Sequence, residues 1–287
     1  MGQYYKPFLL DKQTSKPIGY FLSHDYGNGL KLTEHSYMEN NFVNAVANYI
    51  IKLKGARVVW AGDYADVVEN LDKEIFDLCV ESLKKEGYYG NKPEELEKKI
   101  NEGFNYYEVA DALESFNHDF KLYHKNQKNV VDRGYRFLVN ETKKEYVDLW
   151  NIPCVSQGYD INPLPILTAG FNTNGRGGGD YDGLSLDFVG RWCGDVINYL
   201  KAGKTYVDKP KGYTEIKPDF VSTYALVDQF IECVKHLNRA TNQKHEVYVY
   251  EKKTYKLKPL LSDFSNVDGG FMKALETLKD IQKNIKK

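Results

Sequence analysis

Tyr135-Arg136-Phe137-Leu138-Val139-Asn140 and Lys144-Glu145-Tyr146-Val147-Asp148-Leu149, joined through Glu141-Thr142-Lys143, decide the fold class. Both arms alternate apolar and polar residues with the two-residue period of a strand, and the short polar link makes them an antiparallel hairpin. An earlier pair reads the same way: Tyr4 to Asp11 and Ile18 to Ser23, turning around Thr14 to Pro17. Arg57-Val58-Val59-Trp60-Ala61-Gly62-Asp63 is apolar almost throughout, as a buried strand is, and ends on a glycine and an aspartate.

Helical signals lie between and after these strands. Phe42, Val43, Val46, Tyr49, Ile50 and Leu53 recur at helical spacing behind Asn40 and Asn41, either of which can cap the first turn. Residues 67–134 form a charge-rich helical insert, with helices over Val67 to Lys85, Pro93 to Glu102 and Tyr106 to Phe116. Thr223 to Asn238 and a terminal stretch from Gly270 read as further helices, with strands at Glu246 to Tyr250 and Lys253 to Lys258. A loose internal correspondence aligns Gly55 with Gly194 and Trp60 with Tyr199, each in a glycine-containing strand. The expected architecture is a single α+β domain over residues 1–287. A mainly antiparallel sheet is built from two hairpin regions, with helices on one face and the 67–134 insert at an edge.

Composition narrows the function classes. The 39 basic and 40 acidic side chains nearly cancel, so no global field holds nucleic acid or an anionic membrane. Cys79, Cys154, Cys193 and Cys233 are too scattered for a structural zinc site and read as reduced packing residues. No apolar run approaches the roughly 20 residues that span a bilayer, and no leader precedes Tyr4; the expectation is a cytoplasmic protein without cofactor or metal.

Gly175-Arg176-Gly177-Gly178-Gly179-Asp180-Tyr181-Asp182-Gly183 is the leading candidate site. Successive glycine N–H groups can form an anion nest, and Arg176 offers a bidentate fork to phosphate or carboxylate. The stretch fits neither the P-loop nor the dinucleotide pattern, and the competing reading is a tight surface loop whose glycines serve the turn. The ligand set read from these features is Arg176, Gly177, Gly178, Gly179, Asp180 and Tyr181, with Trp60, Asp63, Arg191 and Trp192. For the tryptophans, the alternative to stacking on a base or sugar is core packing.

Met1-Gly2-Gln3-Tyr4-Tyr5, the segments Gly29-Leu30-Lys31-Leu32 and Val58 to Asp66, and Asn174 to Tyr181 together resemble a family of uncharacterised bacterial and phage proteins that open with this pentapeptide. The resemblance covers residues 1–66 and 135–199, leaves out the insert, and implies kinship without chemistry. The leading functional expectation is binding of a phosphorylated small molecule or nucleotide. In a phage setting that would mean sequestering a signal nucleotide of host defence. A second is a metal-assisted phosphoester hydrolase using Asp63, Asp180 and Asp182, with His24 or His35 as proton carrier. A third is an interaction or virion-associated protein whose tyrosine-rich surface buries against partners, the glycine-rich stretch being only architecture.

Overall fold

The computed structural model describes residues 4–86, 92–116, 119–124, 131–132, 134–152, 154–155, 159–170, 188–203, 208–218, 246–249 and 255–258. The elements in chain order are β1 (Tyr5–Leu10), β2 (Pro17–Tyr20), α1 (Leu32–His35), α2 (Asn41–Leu53), β3 (Ala56–Gly62), α3 (Lys73–Glu86), α4 (Pro93–Glu102) and α5 (Tyr106–Ser115). They continue with β4 (Tyr135–Asn140), β5 (Glu145–Asp148), β6 (Cys154–Val155), β7 (Tyr159–Asp160), α6 (Pro163–Leu167), β8 (Ala169–Gly170), β9 (Val196–Lys201), β10 (Thr214–Glu215), β11 (Glu246–Val249) and β12 (Tyr255–Lys258).

The fold is α+β around a mostly antiparallel eight-stranded sheet, in the order β10-β5-β4-β9-β3-β1-β2, with β8 also paired to β3. Both hairpins are present: β1 pairs with β2, and β4 with β5. One flank of β3 is shared. Ala56 and Arg57 pair antiparallel with β9, while Trp60 and Ala61 pair parallel with β8. At the β10 edge, Thr214 and Ile216 donate to Lys144 and Tyr146. The next donor in that alternation falls on Pro218, which has no N–H, so the ladder stops there and Asn151 N–H takes the Asp148 carbonyl instead.

Strand alternation sorts the core onto two faces. Tyr5, Leu9, Val58, Trp60, Leu138, Val147, Ile197 and Tyr199 point to one side and pack with Phe42, Val43, Val46 and Ile50 of α2 and with α6. Each such large apolar side chain, once buried, contributes about 1.5–3 kcal/mol. Helix α2 forms because Asn40 Oδ1 accepts from the N–H groups of Phe42 and Val43, and because its apolar residues recur at helical spacing. It stops where Lys54 turns left-handed, at φ 56°, before Gly55.

On the opposite side, Phe8, Leu10, Tyr20 and Leu22 pack against Ile75 and Cys79 of α3 and Val109, Ala110 and Leu113 of α5. Phe137, Val139 and Tyr146 form a third cluster on β4 and β5. The expected placement of the insert at an edge is met at the β1–β2 margin, where α3 and α5 cover the second face of those strands. The reason is legible in β1, where every residue from Tyr5 to Leu10 is buried, so both faces need a cover. Lys6 is carried into that second interface, where its ammonium meets Asp111 and Glu114 of α5 and lies 4.7 Å from the centre of the Tyr107 ring.

Candidate functional site

The glycine-rich residues Arg176, Gly177, Gly178, Gly179, Asp180 and Tyr181 lie outside the described residues, as do the expected helices at Thr223 to Asn238 and from Gly270. The chain on either side of that stretch is described. It enters from β8, where Gly170 pairs with Ala61. It returns at Phe188, and the N–H groups of Gly190 and Trp192 then bond to the carbonyls of Ile166 and Leu167 in α6. Gly170, the last described residue before it, thus lies beside Ala61 of β3, and the described chain after it lies beside α6.

Asp63 stands at that end. Its N–H donates to the Tyr4 carbonyl at 3.0 Å, and its Oδ1 accepts from the Tyr4 N–H at 3.2 Å, which extends the β1–β3 register by one pair. Partial burial pushes its carboxyl above the usual carboxylate range, against the lowering effect of backbone N–H groups of Tyr4, Tyr64 and Asp63 itself. Tyr107 lies close enough that Asp111 and Asp63, after burial, add to the elevation of its hydroxyl pKa. The chain leaves β3 through Tyr64 and Ala65, and the Ala65 carbonyl accepts from Asn105, the cap of α5. The first turn of α5 is internally satisfied by the Asn105–Glu108 capping box.

The other expected ligand residues have structural work. Trp60 is fully buried, with His35 and Phe42 at ring-centroid distances of 5.6 and 5.5 Å, so neither face of its indole is open to a base or sugar. Trp192 is equally buried, and its Nε1–H donates to Glu145 at 2.7 Å. Arg191 presents its fork to the same carboxylate, through Nε and Nη2. The Arg191 hydrogen bonds hold Glu145 below the usual carboxylate range. The guanidinium proposed for a ligand anion is therefore committed to a side chain 46 residues away. Around it, Asp195 accepts from Asn140 and pairs with Lys143, tying the β4–β5 turn to the Gly190–Gly194 turn.

His35, one of the two expected proton carriers, lies inside the core. It is buried, its Nδ1 faces the Gly29 carbonyl and its Nε2 faces the Trp60 indole, while His24 is exposed on a separate turn. Among the described residues no group of three histidine, cysteine or acidic side chains is arranged to hold a metal ion, and no helix is long and apolar enough to cross a membrane.

Sequence reasoning missed Tyr4 and Tyr64. Tyr4 pairs with Asp63 and Tyr64 follows it, and both are exposed. Their signal lay in the register, since a residue paired with a strand-terminal aspartate sits at the sheet end whatever its side chain. No family model matches the chain, and no curated protein or solved structure does so, so the resemblance noted from the sequence gains no support from these comparisons.

Proposed function

We propose that the protein binds a phosphorylated small molecule or nucleotide at the C-terminal end of β3. The glycine-rich stretch with Arg176 and Asp180 holds the phosphate, and Asp63 accepts hydrogen bonds from the rest of the ligand. One observation supports the reading: Gly170, the last described residue before the glycine-rich stretch, pairs in parallel with Ala61, two positions before Asp63. Ligands of open sheets favour the carboxyl ends of parallel strands, and consecutive glycine N–H groups with an arginine fork suit a phosphate. Free thiols at Cys79 and Cys193 suit a reducing compartment, and the cytoplasm is the proposed location.

A thermal-shift screen against nucleotides, cyclic nucleotides, sugar phosphates and divalent metals tests it, because a ligand that binds only the folded state raises the melting temperature. The expected result is a shift with a phosphorylated ligand that is lost in Arg176→Ala. No shift across the panel overturns the reading.

A further inference from the structure

We propose that α3 to α5 is a cover that opens as one unit from the second face of β1 and β2 while the rest of the sheet stays folded, and that Lys6 with Asp111 and Glu114 is its latch.

The packing divides at the sheet. Every buried apolar residue of α3 and α5 lies in the cluster with Phe8, Leu10, Tyr20 and Leu22, whereas Trp60 and Trp192 pack with α2 and α6 in the cluster on the other face. The cover is also one continuous excursion of the chain with fastened ends. Asp63 N–H donates to the Tyr4 carbonyl before it begins, and Tyr20 exchanges backbone hydrogen bonds with Phe120 and Leu122 after it ends. Helix α4, between the two packed helices, buries no residue. Lifting α3 and α5 therefore uncovers β1 and β2 without parting a strand pair of the sheet. Proteins open in such contiguous units at free energies below that of global unfolding.

Lys6 lowers the cost of opening relative to an all-apolar interface. Its side chain is 5% exposed with the cover closed, its ammonium beside Asp111, 3.7 Å from Glu114 and 4.7 Å from the centre of the Tyr107 ring. Both carboxylates are half-exposed, so the lysine bears most of the desolvation, and opening returns it to water. A buried ion pair adds little net stability, but a buried charge that loses its partners is stranded. These three groups thus set how often the cover lifts.

Cys79 of α3 is a built-in probe. It is buried within the cover's cluster, and burial pushes its thiol up to about 12, so it reacts only from an open form. Iodoacetamide labelling of Cys79, read by mass spectrometry of its peptide, gives one opening constant, and amide exchange of β3 gives another. Circular dichroism verifies that each variant folds. In wild type the Cys79 constant should exceed the β3 constant about 10-fold or more. Ile50→Val, in the α2 cluster, should raise the β3 constant about 3-fold or more and leave Cys79 unchanged. Asp111→Asn with Glu114→Gln should raise the Cys79 constant about 10-fold or more, and adding Lys6→Met should reverse that rise by removing the stranded charge. Equal constants at Cys79 and β3 that rise together in Ile50→Val would show a single cooperative unit and overturn the proposal. So would a Cys79 constant that the paired substitution leaves unchanged or that Lys6→Met fails to bring back.

Discussion

The indole N–H of Trp60 donates to Nε2 of His35 at 2.9 Å, inside the core. An indole nitrogen can only donate and the Gly29 carbonyl on Nδ1 can only accept, so the two contacts fix one neutral tautomer, with the proton on Nδ1. Burial holds the imidazole well below its ordinary value, at about 4, against the raising effect of the Gly29 contact. A protonated ring would turn a second N–H toward the Trp60 donor.

Acid should therefore weaken the fold through this one side chain. The depressed folded value means that the unfolded chain takes up a proton below pH 6.5 that the folded chain refuses, so stability is full above 6.5 and falls as pH drops toward about 4. At 1.36 kcal/mol per pKa unit the loss approaches roughly 3 kcal/mol. Urea unfolding of wild type and His35→Gln between pH 7.5 and 4.5 measures it. The variant, whose amide can both accept and donate, should show a flatter dependence; parallel curves would refute the assignment.

Arg136 and Asp148 form a two-point ion pair across the β4–β5 hairpin with side chains 3% and 4% exposed. Burial raises the Asp148 carboxyl, but the Arg136, Trp150 and Asn151 hydrogen bonds outweigh it and leave the value below normal. The contribution of this pair is thus present above the unfolded value and lost only as pH falls through a lower one, so it outlasts the His35 effect. Asp148→Ala should cost about 3–5 kcal/mol by stranding a buried guanidinium. The double replacement Arg136→Met with Asp148→Leu should cost less than that single one. Denaturant midpoints decide, and a double variant worse than both singles would contradict the argument.

Glu145 receives both Arg191 and Trp192, so its replacement should loosen the turn that follows the glycine-rich stretch. Glu145→Gln retains an acceptor for the indole and should lose about 1 kcal/mol, whereas Glu145→Ala leaves the Trp192 donor unpaired and should lose about 2–3 kcal/mol. The near-ultraviolet signal of Trp192 should change in the second variant and not in the first. Equal effects would show that charge, and not the indole contact, dominates.

A methyl group on Gly62 would stand 2.5 Å from the Gly170 carbonyl oxygen and 3.0 Å from the Tyr5 ring. Gly62→Ala should push β8 off β3 at a cost of about 1–3 kcal/mol. At Gly27, where φ is 70° and nothing approaches within 4 Å, alanine should cost about 1 kcal/mol through backbone conformation alone. Melting temperatures rank the two, and the reverse order would place the strain in the turn.

Local signals carried the elements. Helix α2 has the bounds its spacing and its asparagine cap imply, α4 runs from Pro93 to Glu102 as expected, and the 135–149 hairpin is β4 and β5. Helix α3 begins at Lys73 and not at Val67, because Asp72 accepts from the Glu74 N–H while Val68 is drawn to Phe104. Gly194 was expected within a glycine-containing strand. Gly190 and Gly194 instead adopt φ of 70° and 76° and make a turn, and β9 begins only at Val196. Site residues were harder to read, since what decides Trp60 is His35 and what decides Arg191 is Glu145. No spacing in one sequence reports such pairings. The position of Asp63 just past the end of β3 was legible because the apolar run stops on it.

Pro218 bears on behaviour at high concentration. A sheet with open margins invites a second chain to add itself strand by strand. Here one margin is β10, two residues long, whose alternation of donors ends three residues further on at Pro218, which cannot donate. The other is β2, which begins at Pro17 and whose Tyr20 exchanges hydrogen bonds with Phe120 and Leu122. Neither margin offers a run of free donors among the described residues, so crowding should favour contact through side chains over fibre-like templating of backbone.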